Sequence, residues 1–177
     1  MLTDPSAHRG TSTDRFTAAY RELSPRVLGY LRSHGVDDPE GATNDVFLAL
    51  HRRFDSVEGG EDGVRTLTFS IAHARLVDFH RARARNPRQV SFDPEADPRR
   101  AASAEDTAID MVGGGAMSLL SSLGDDQRQV ISLRVIAGLS LEETAQVMDR
   151  SVGSIKQLQR RGLESLRSLM VKETIDV

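Results

Sequence analysis

One segment without periodicity does most to constrain how this chain can fold. From Asn86 to about Gly115, apolar residues stop recurring at helical spacing, and prolines, acids and a run of three glycines take their place. Thirty residues without regular structure are uncommon inside one compact domain. The sequence therefore predicts two small domains joined by a flexible acidic linker. The predicted boundaries are 14–86 for the first domain, 87–116 for the linker and 117–172 for the second domain.

Before this segment, the apolar pattern predicts helices. Residues 16–31 carry apolar side chains every three or four positions, which is typical of an amphipathic helix, and Gly35 ends it. Asp38 followed by Pro39 predicts the start of a second helix, since a capping carboxylate and proline at the first helical position favour one. A glycine-rich loop over 57–63 precedes a third predicted helix, and the fold class is all-α.

The second half has the pattern of a helix-turn-helix. The acids at 125–126 can cap a helix that Gly138 ends, and Ser140 with Glu143 forms a capping box for the next. Ser151 then caps a last, basic helix, so a short turn joins two helices. The residues predicted to face inward on the last helix are Ile155, Leu158, Leu163, Leu166 and either Leu169 or Met170.

Composition limits the class of protein. With 38% hydrophobic and 28% charged residues, the chain is too apolar for general disorder and too polar for a membrane protein. The lack of cysteine excludes disulfides and thiolate metal ligands. The first residues have neither the basic nor the apolar region of a signal peptide. We expect a cytoplasmic protein without membrane insertion.

The charge distribution is uneven although the net charge is only −3. Residues 75–88 hold five arginines and one acid, 93–110 hold six acids and two arginines, and 150–172 hold six basic residues and one acid. Solvated helix faces would explain each block alone. The order basic, acidic, basic instead favours a protein with two separate nucleic-acid surfaces.

The outer face of the last helix is the first candidate surface. Arginine and lysine can donate to guanine, glutamine can pair with adenine, and further cations can hold phosphates. An ordinary solvated basic face is the alternative, but we identify no compensating acids at helical spacing and the face lies on the second helix of a helix-turn-helix. The predicted duplex-reading residues are Ser154, Lys156, Gln157, Arg160 and Arg161.

The basic end of the third helix is the second candidate surface. Arginines on two faces of a helix indicate phosphate contacts, and aromatic rings can stack on unpaired bases. The alternatives are a solvated helix end that favours cations and a core position for Phe69. The residues predicted to bind single-stranded DNA are Phe69, His73, Arg75, His80, Arg81, Arg83 and Arg85.

We identify no motif of a catalytic site in this sequence. There is no glycine-rich phosphate loop with a lysine and no His-Glu-x-x-His motif, and the five histidines lack the spacing of metal ligands. The sequence therefore predicts no catalytic activity, no cofactor and no metal.

The order of these parts, from about residue 14 to 170, resembles the extracytoplasmic-function sigma factors of the bacterial sigma-70 family. NDVFLALHRRF over 44–54 is similar to the family's second helix, and FSIAHARLVD over 69–78 to its third. GLSLEETA over 138–145 and SVGSIK over 151–156 are similar to its helix-turn-helix. Many helix-turn-helix proteins share the last two motifs, so the order of all four carries the resemblance.

The resemblance implies partners for each part. The second helix would bind the clamp helices of core RNA polymerase, the third helix and preceding loop the melted minus-ten strand, and the last helix the minus-thirty-five duplex. Asp93, Glu95 and Asp97 of the linker would run through polymerase channels, and an anti-sigma protein would clamp both domains. The residues implied in polymerase binding are Asn44, Asp45, Phe47, Leu48, His51 and Arg52.

Four positions depart from the family pattern. Gly41 replaces the usual aspartate, Asn44 a glutamine, Leu67 a common tryptophan and Ala74 an asparagine that helps to recognise the minus-ten strand. Two other functions remain open at this point. A helix-turn-helix regulator, not a polymerase subunit, would explain only the second half, and an adaptor would explain polymerase binding without DNA.

Overall fold

The computed structural model describes the backbone of residues 5–85 and 115–175, and side chains within 12–85 and 115–171. Both described parts are helical and contain no strand, so the all-α prediction is confirmed. The predicted linker, with Asp93, Glu95 and Asp97, lies almost wholly outside the described residues. The elements are α1 (Pro5–Ser33), α2 (Pro39–His51), a short 3-10 helix (Phe54–Ser56), α3 (Gly60–Arg85), α4 (115–121), α5 (Asp125–Val135), α6 (Leu141–Met148) and α7 (Val152–Ile175).

The start of α2 follows the predicted capping pattern. The Gly41 amide donates to Asp38 Oδ1 at 2.9 Å, and Pro39 occupies the first helical turn. A Cβ atom at position 41 would lie 2.2 Å from Asp38 Oδ2. The glycine that departs from the family pattern therefore lets the capping carboxylate close over the helix end.

The glycine-rich segment 57–63 is only partly a loop, because α3 begins at Gly60. Gly59 and Gly60 have positive φ and make the turn into the helix. Glu61 and Asp62 then lie in the first turn, where negative charge favours a helix. The predicted loop is too long at its C-terminal end, because these two acids favour a helix that begins at Gly60.

The second half forms the predicted helix-turn-helix. The Glu143 amide donates to Ser140 Oγ at 3.0 Å and the Ser140 amide donates to Glu143 Oε2 at 2.6 Å, which completes the capping box. Asp149 adopts the left-handed conformation, with φ of 51°, in the turn before α7. The predicted caps at 125–126 are wrong, since Gly124 is the N-cap residue of α5 and both acids lie inside the first turn.

The inward face of α7 differs from the prediction at Leu163, which is 48% exposed, whereas Gly162 is buried. Of the two alternatives at the end of this face, Leu169 is half-buried and Met170 is 56% exposed. A Cβ atom at Gly162 would lie 3.0 Å from Ile131 Cγ1, so the glycine permits a close approach of α7 to α5. Leu163 and Met170 instead line an apolar groove of about 220 Å³ between α4, α5 and α7.

The two halves pack against each other. One hydrophobic core includes buried residues of α1, α2 and α3 together with residues of α5, α6 and α7. Polar contacts add to it, since Thr66 Oγ1 donates to Glu143 Oε1 at 3.0 Å and the hydroxyls of Ser33 and Ser132 lie 3.4 Å apart. No helix in the described ranges is both long and apolar enough to cross a bilayer.

A buried histidine lies at this junction. His34 Nδ1 is 2.7 Å from the Tyr30 carbonyl oxygen, and His34 Nε2 is buried without a hydrogen-bond partner. Burial lowers the pKa of His34 to about 4, the Tyr30 carbonyl opposes that shift, and the Arg128 charge adds to it. The folded protein therefore holds this ring in its neutral form.

Acidification is expected to destabilise the fold through His34. Between pH 6.5 and 4 the unfolded chain binds a proton that the folded chain does not, so stability is complete above pH 6.5 and falls with pH below it. The free energy of unfolding, measured with urea, should decrease by about 2 kcal/mol from pH 7 to pH 5 through this group.

The variant His34→Gln should have a smaller decrease than wild type over this range. His51→Gln is the matched control, because His51 is exposed at the end of α2, where its ring contacts only the half-buried ring of Phe16 among the described aromatic side chains. An equal pH dependence in wild type and His34→Gln would contradict the assignment.

Candidate nucleic-acid and polymerase interfaces

The first turn of α7 is fixed by its cap. The Ser154 amide donates to Ser151 Oγ at 3.2 Å, and Ile155 is fully buried beneath the turn. Since successive residues are about 100° apart around a helix, burial of Ile155 turns positions 156, 157, 160 and 161 outward. This geometry sets which side chains can meet a DNA groove.

The predicted duplex-reading residues occupy that outward face. Lys156, Gln157, Arg160 and Arg161 are exposed and Ser154 is half-buried. The expectation that no acid compensates this face is wrong, because Arg160 Nη1 lies 3.7 Å from Glu164 Oε1 one turn later. Arg161 forms no ion pair with any described residue. Among the arginines of this face, Arg161 thus keeps its charge available for a ligand.

Two aromatic candidates on α3 have structural contacts instead. Phe69 is 0% exposed, and its ring packs edge to face on Tyr30 with centroids 5.9 Å apart. Its predicted stacking on DNA bases is therefore wrong, and the core alternative is correct. His73 is half-buried, with Nδ1 3.0 Å from the Tyr30 hydroxyl, and burial lowers its pKa.

The basic end of α3 remains accessible. Arg75, Arg81, Arg83 and Arg85 are exposed, and His80 is half-buried. Arg83 Nη1 lies 3.6 Å from Asp37 Oδ1, an exposed ion pair of little energetic consequence. The surface can therefore present several cations to a phosphate backbone.

The outer face of α2 carries five of the six residues predicted for polymerase binding. These exposed residues are Asn44, Asp45, Leu48, His51 and Arg52. Leu48 is 61% exposed and gives this face an apolar side chain among polar ones. Phe47 does not belong to this surface, because it is 3% exposed and packs on Tyr20 with ring centroids 4.7 Å apart. Phe47 anchors α2 so that its outer face is presented.

The groove where the halves meet was not predicted. Residues of the 53–63 segment and α3 line a cavity of about 480 Å³ together with Glu143 and Gln146 of α6. Burial alone would raise the pKa of Glu143, but hydrogen bonds from Ser140 and Thr66 and the charge of Arg65 lower it overall. An ionised Glu143 therefore accepts the Thr66 hydrogen bond. No sequence signal connects residues 77 positions apart.

Glycine shapes the loop that borders this groove. A Cβ atom at Gly63 would lie 1.8 Å from the Glu58 carbonyl oxygen, and the Gly63 amide donates to the Gly59 carbonyl oxygen at 3.1 Å. Every larger residue at position 63 would displace the 58–59 backbone. The loop that the resemblance places near the melted minus-ten strand therefore depends on glycine for its observed conformation.

The family profile described as "Sigma-70, region 4" matches residues 119–168, which contain the helix-turn-helix. The chain is 31% identical over 162 residues to the ECF RNA polymerase sigma factor ShbA of Streptomyces griseus, covering 83% of each protein. It is 28% identical over 166 residues to SigK of Mycobacterium tuberculosis, covering 88% of this chain and 85% of SigK. Both matches are long enough to include the first half as well as the second.

A solved structure of CnrH in complex with the cytosolic domain of CnrY has a similar fold. Its TM-score is 0.63 at 21% identity, and the match covers 89% of this chain and 88% of that one. A helix-turn-helix regulator would share only the second half, so the extent of the ShbA match separates the two interpretations. The chain belongs to the extracytoplasmic-function family of RNA polymerase sigma factors.

Proposed function

We propose that this sigma factor directs promoter-specific initiation by binding core RNA polymerase through the outer face of α2. The exposed end of α3 and the loop before it bind the minus-ten strand, and α7 reads the minus-thirty-five duplex. The observation that carries the proposal is the outward basic face of α7 on the second helix of a capped helix-turn-helix. The chain acts by binding, in the cytoplasm, and not as a catalyst.

Promoter binding requires the two halves to separate. The minus-ten and minus-thirty-five elements are about 25 base pairs apart, which is about 85 Å of duplex. The Thr66–Glu143 hydrogen bond joins α3 directly to α6, so the packed arrangement cannot span that distance. The roughly 30 residues that join the halves can reach about 100 Å when extended. The two halves therefore act as separate domains, with 87–116 as the linker.

An anti-sigma protein would inhibit the chain by holding the packed arrangement. Glu143 and Gln146 cover the groove beside Thr66, Leu67 and Ser70, where the minus-ten strand is expected. A partner that contacts both halves needs only to bind the packed arrangement more tightly than the separated one. A ligand shifts an equilibrium between two states by the difference in its affinity for them. The similar fold of CnrH, solved in complex with the cytosolic domain of CnrY, supports this form of control.

The variant Arg161→Ala tests the assignment of α7. Loss of one base contact costs about 1–3 kcal/mol of binding free energy. Output from a minus-thirty-five-dependent promoter should therefore fall roughly fivefold or more. The measurement is run-off transcription with core polymerase, after start sites made by the wild-type protein define the promoter.

Arg167→Ala is the matched control for Arg161→Ala. Arg167 is also exposed on α7, but it lies nearly two turns further from the end of the helix that enters a groove. Equal effects of the two substitutions would remove Arg161 from the interface.

The variant Leu48→Glu tests the assignment of α2. Burial of a leucine against a partner contributes about 1.5–3 kcal/mol, and a buried carboxylate adds a further cost. Affinity for core polymerase, measured by fluorescence anisotropy of labelled protein, should therefore fall at least tenfold.

Val171→Glu is the control for Leu48→Glu, because Val171 is an aliphatic residue 53% exposed near the end of α7. Retention of wild-type affinity by Leu48→Glu would contradict polymerase binding by this face.

A further inference from the structure

Arg134 forms a bridge between three parts of the helix-turn-helix. It lies in the last turn of α5, and its Nε donates to Gln159 Oε1 of α7 at 3.0 Å. Its Nη1 also donates to the Leu139 carbonyl oxygen, just before the Ser140 cap of α6. One guanidinium group thus connects the end of α5, the turn and α7.

Gln159 occupies an unusual place on α7. Ile155, Leu158 and Gly162 share the packed side of the helix with Gln159, and Gln159 is half-buried. A polar group on a packed side needs a partner, since a buried amide without a hydrogen bond destabilises the fold. Arg134 supplies that partner, whereas the residues on the opposite side of α7 remain free to meet DNA.

The Ser151 cap and the burial of Ile155 set which face of α7 points outward, but they do not define its rotation finely. Apolar packing of Ile155 and Leu158 is non-directional, and the glycine at 162 lets the helix approach Ile131 without an interlocking side chain. A guanidinium group has a rigid planar set of donors, so two hydrogen bonds from it define a direction. The Arg134–Gln159 contact therefore adds a directional constraint on the rotation of α7 relative to the turn.

We propose that Arg134 is a positioning residue for minus-thirty-five recognition, acting through Gln159 to hold Arg160 and Arg161 in register with the base edges. This inference rests on the proposed reading of duplex DNA by α7. Base contacts depend on orientation more than phosphate contacts do, because phosphates are held by flexible cations whereas bases are read by directional hydrogen bonds. Loss of the bridge should then reduce discrimination between sequences more than total binding.

The test uses the holoenzyme, formed from the full chain and core polymerase, on two promoters that differ only in the minus-thirty-five element. Discrimination is the ratio of transcription from the intact promoter to that from the substituted one. For Arg134→Met we expect this ratio to fall about five- to tenfold, while output from the substituted promoter stays near wild type. Arg134→Lys keeps the charge but lacks the planar pair of donors. Its discrimination ratio should therefore fall by a similar factor.

Gln159→Met, alone and combined with Arg134→Met, is measured in the same assay. The comparison distinguishes loss of the Arg134–Gln159 contact from a folding defect. If Arg134 acts through Gln159, the double variant should lose no more discrimination than Arg134→Met alone, because residues in one contact are not additive. The salt dependence of promoter binding should keep its wild-type slope, whereas loss of a phosphate contact would lower it by about one. Arg167→Met is the control for removal of an exposed arginine.

Three results would overturn the proposal: unchanged discrimination in Arg134→Met, additive losses in the double variant, or equal loss on both promoters with a smaller salt slope. The last result would make Arg134 a phosphate ligand. If the wild-type holoenzyme itself does not discriminate, the proposed role of α7 fails and the inference fails with it. Intact wild-type discrimination with unaffected variants would overturn the positioning role alone.

Discussion

The capping box of α6 is the interaction on which most of this structure depends. Ser140 and Glu143 satisfy each other's backbone amides, and the same Glu143 carboxylate accepts a hydrogen bond from Thr66 in the first half. One side chain therefore both caps a helix of the DNA-binding motif and adds a hydrogen bond to the core that the two halves share. Arg65 lowers the pKa of that carboxyl further, which keeps the acceptor charged.

The distribution of charge fits the two kinds of partner that we propose. The arginines at the C-terminal end of α3 and the outer face of α7 are exposed, and they are suited to phosphates and base edges. The outer face of α2 is mixed, with the apolar Leu48 among polar residues, as protein interfaces are. The net charge of −3 thus conceals two basic surfaces, and no average over the chain could have identified them.

Local features could be predicted from the sequence, and contacts between distant elements could not. The caps at Asp38 and Ser140 were predictable because their partners lie three residues away. Phe47 and Phe69 were assigned to interfaces through the family resemblance and the chemistry of aromatic rings, but helix packing buries both. The Arg134–Gln159 and Thr66–Glu143 contacts join separate helices. No periodic pattern in the sequence indicates which distant residues form such contacts.

The two halves are packed together in the free protein, and we propose that they separate on the promoter. Because the chain has no cysteine, Arg21→Cys and Ser168→Cys can be combined to attach a fluorophore pair on exposed positions of α1 and α7. Resonance energy transfer should indicate a short separation in the free protein and an increase of several tens of ångströms with core polymerase and promoter DNA. A separation that does not change when an active holoenzyme forms on the promoter would contradict the account.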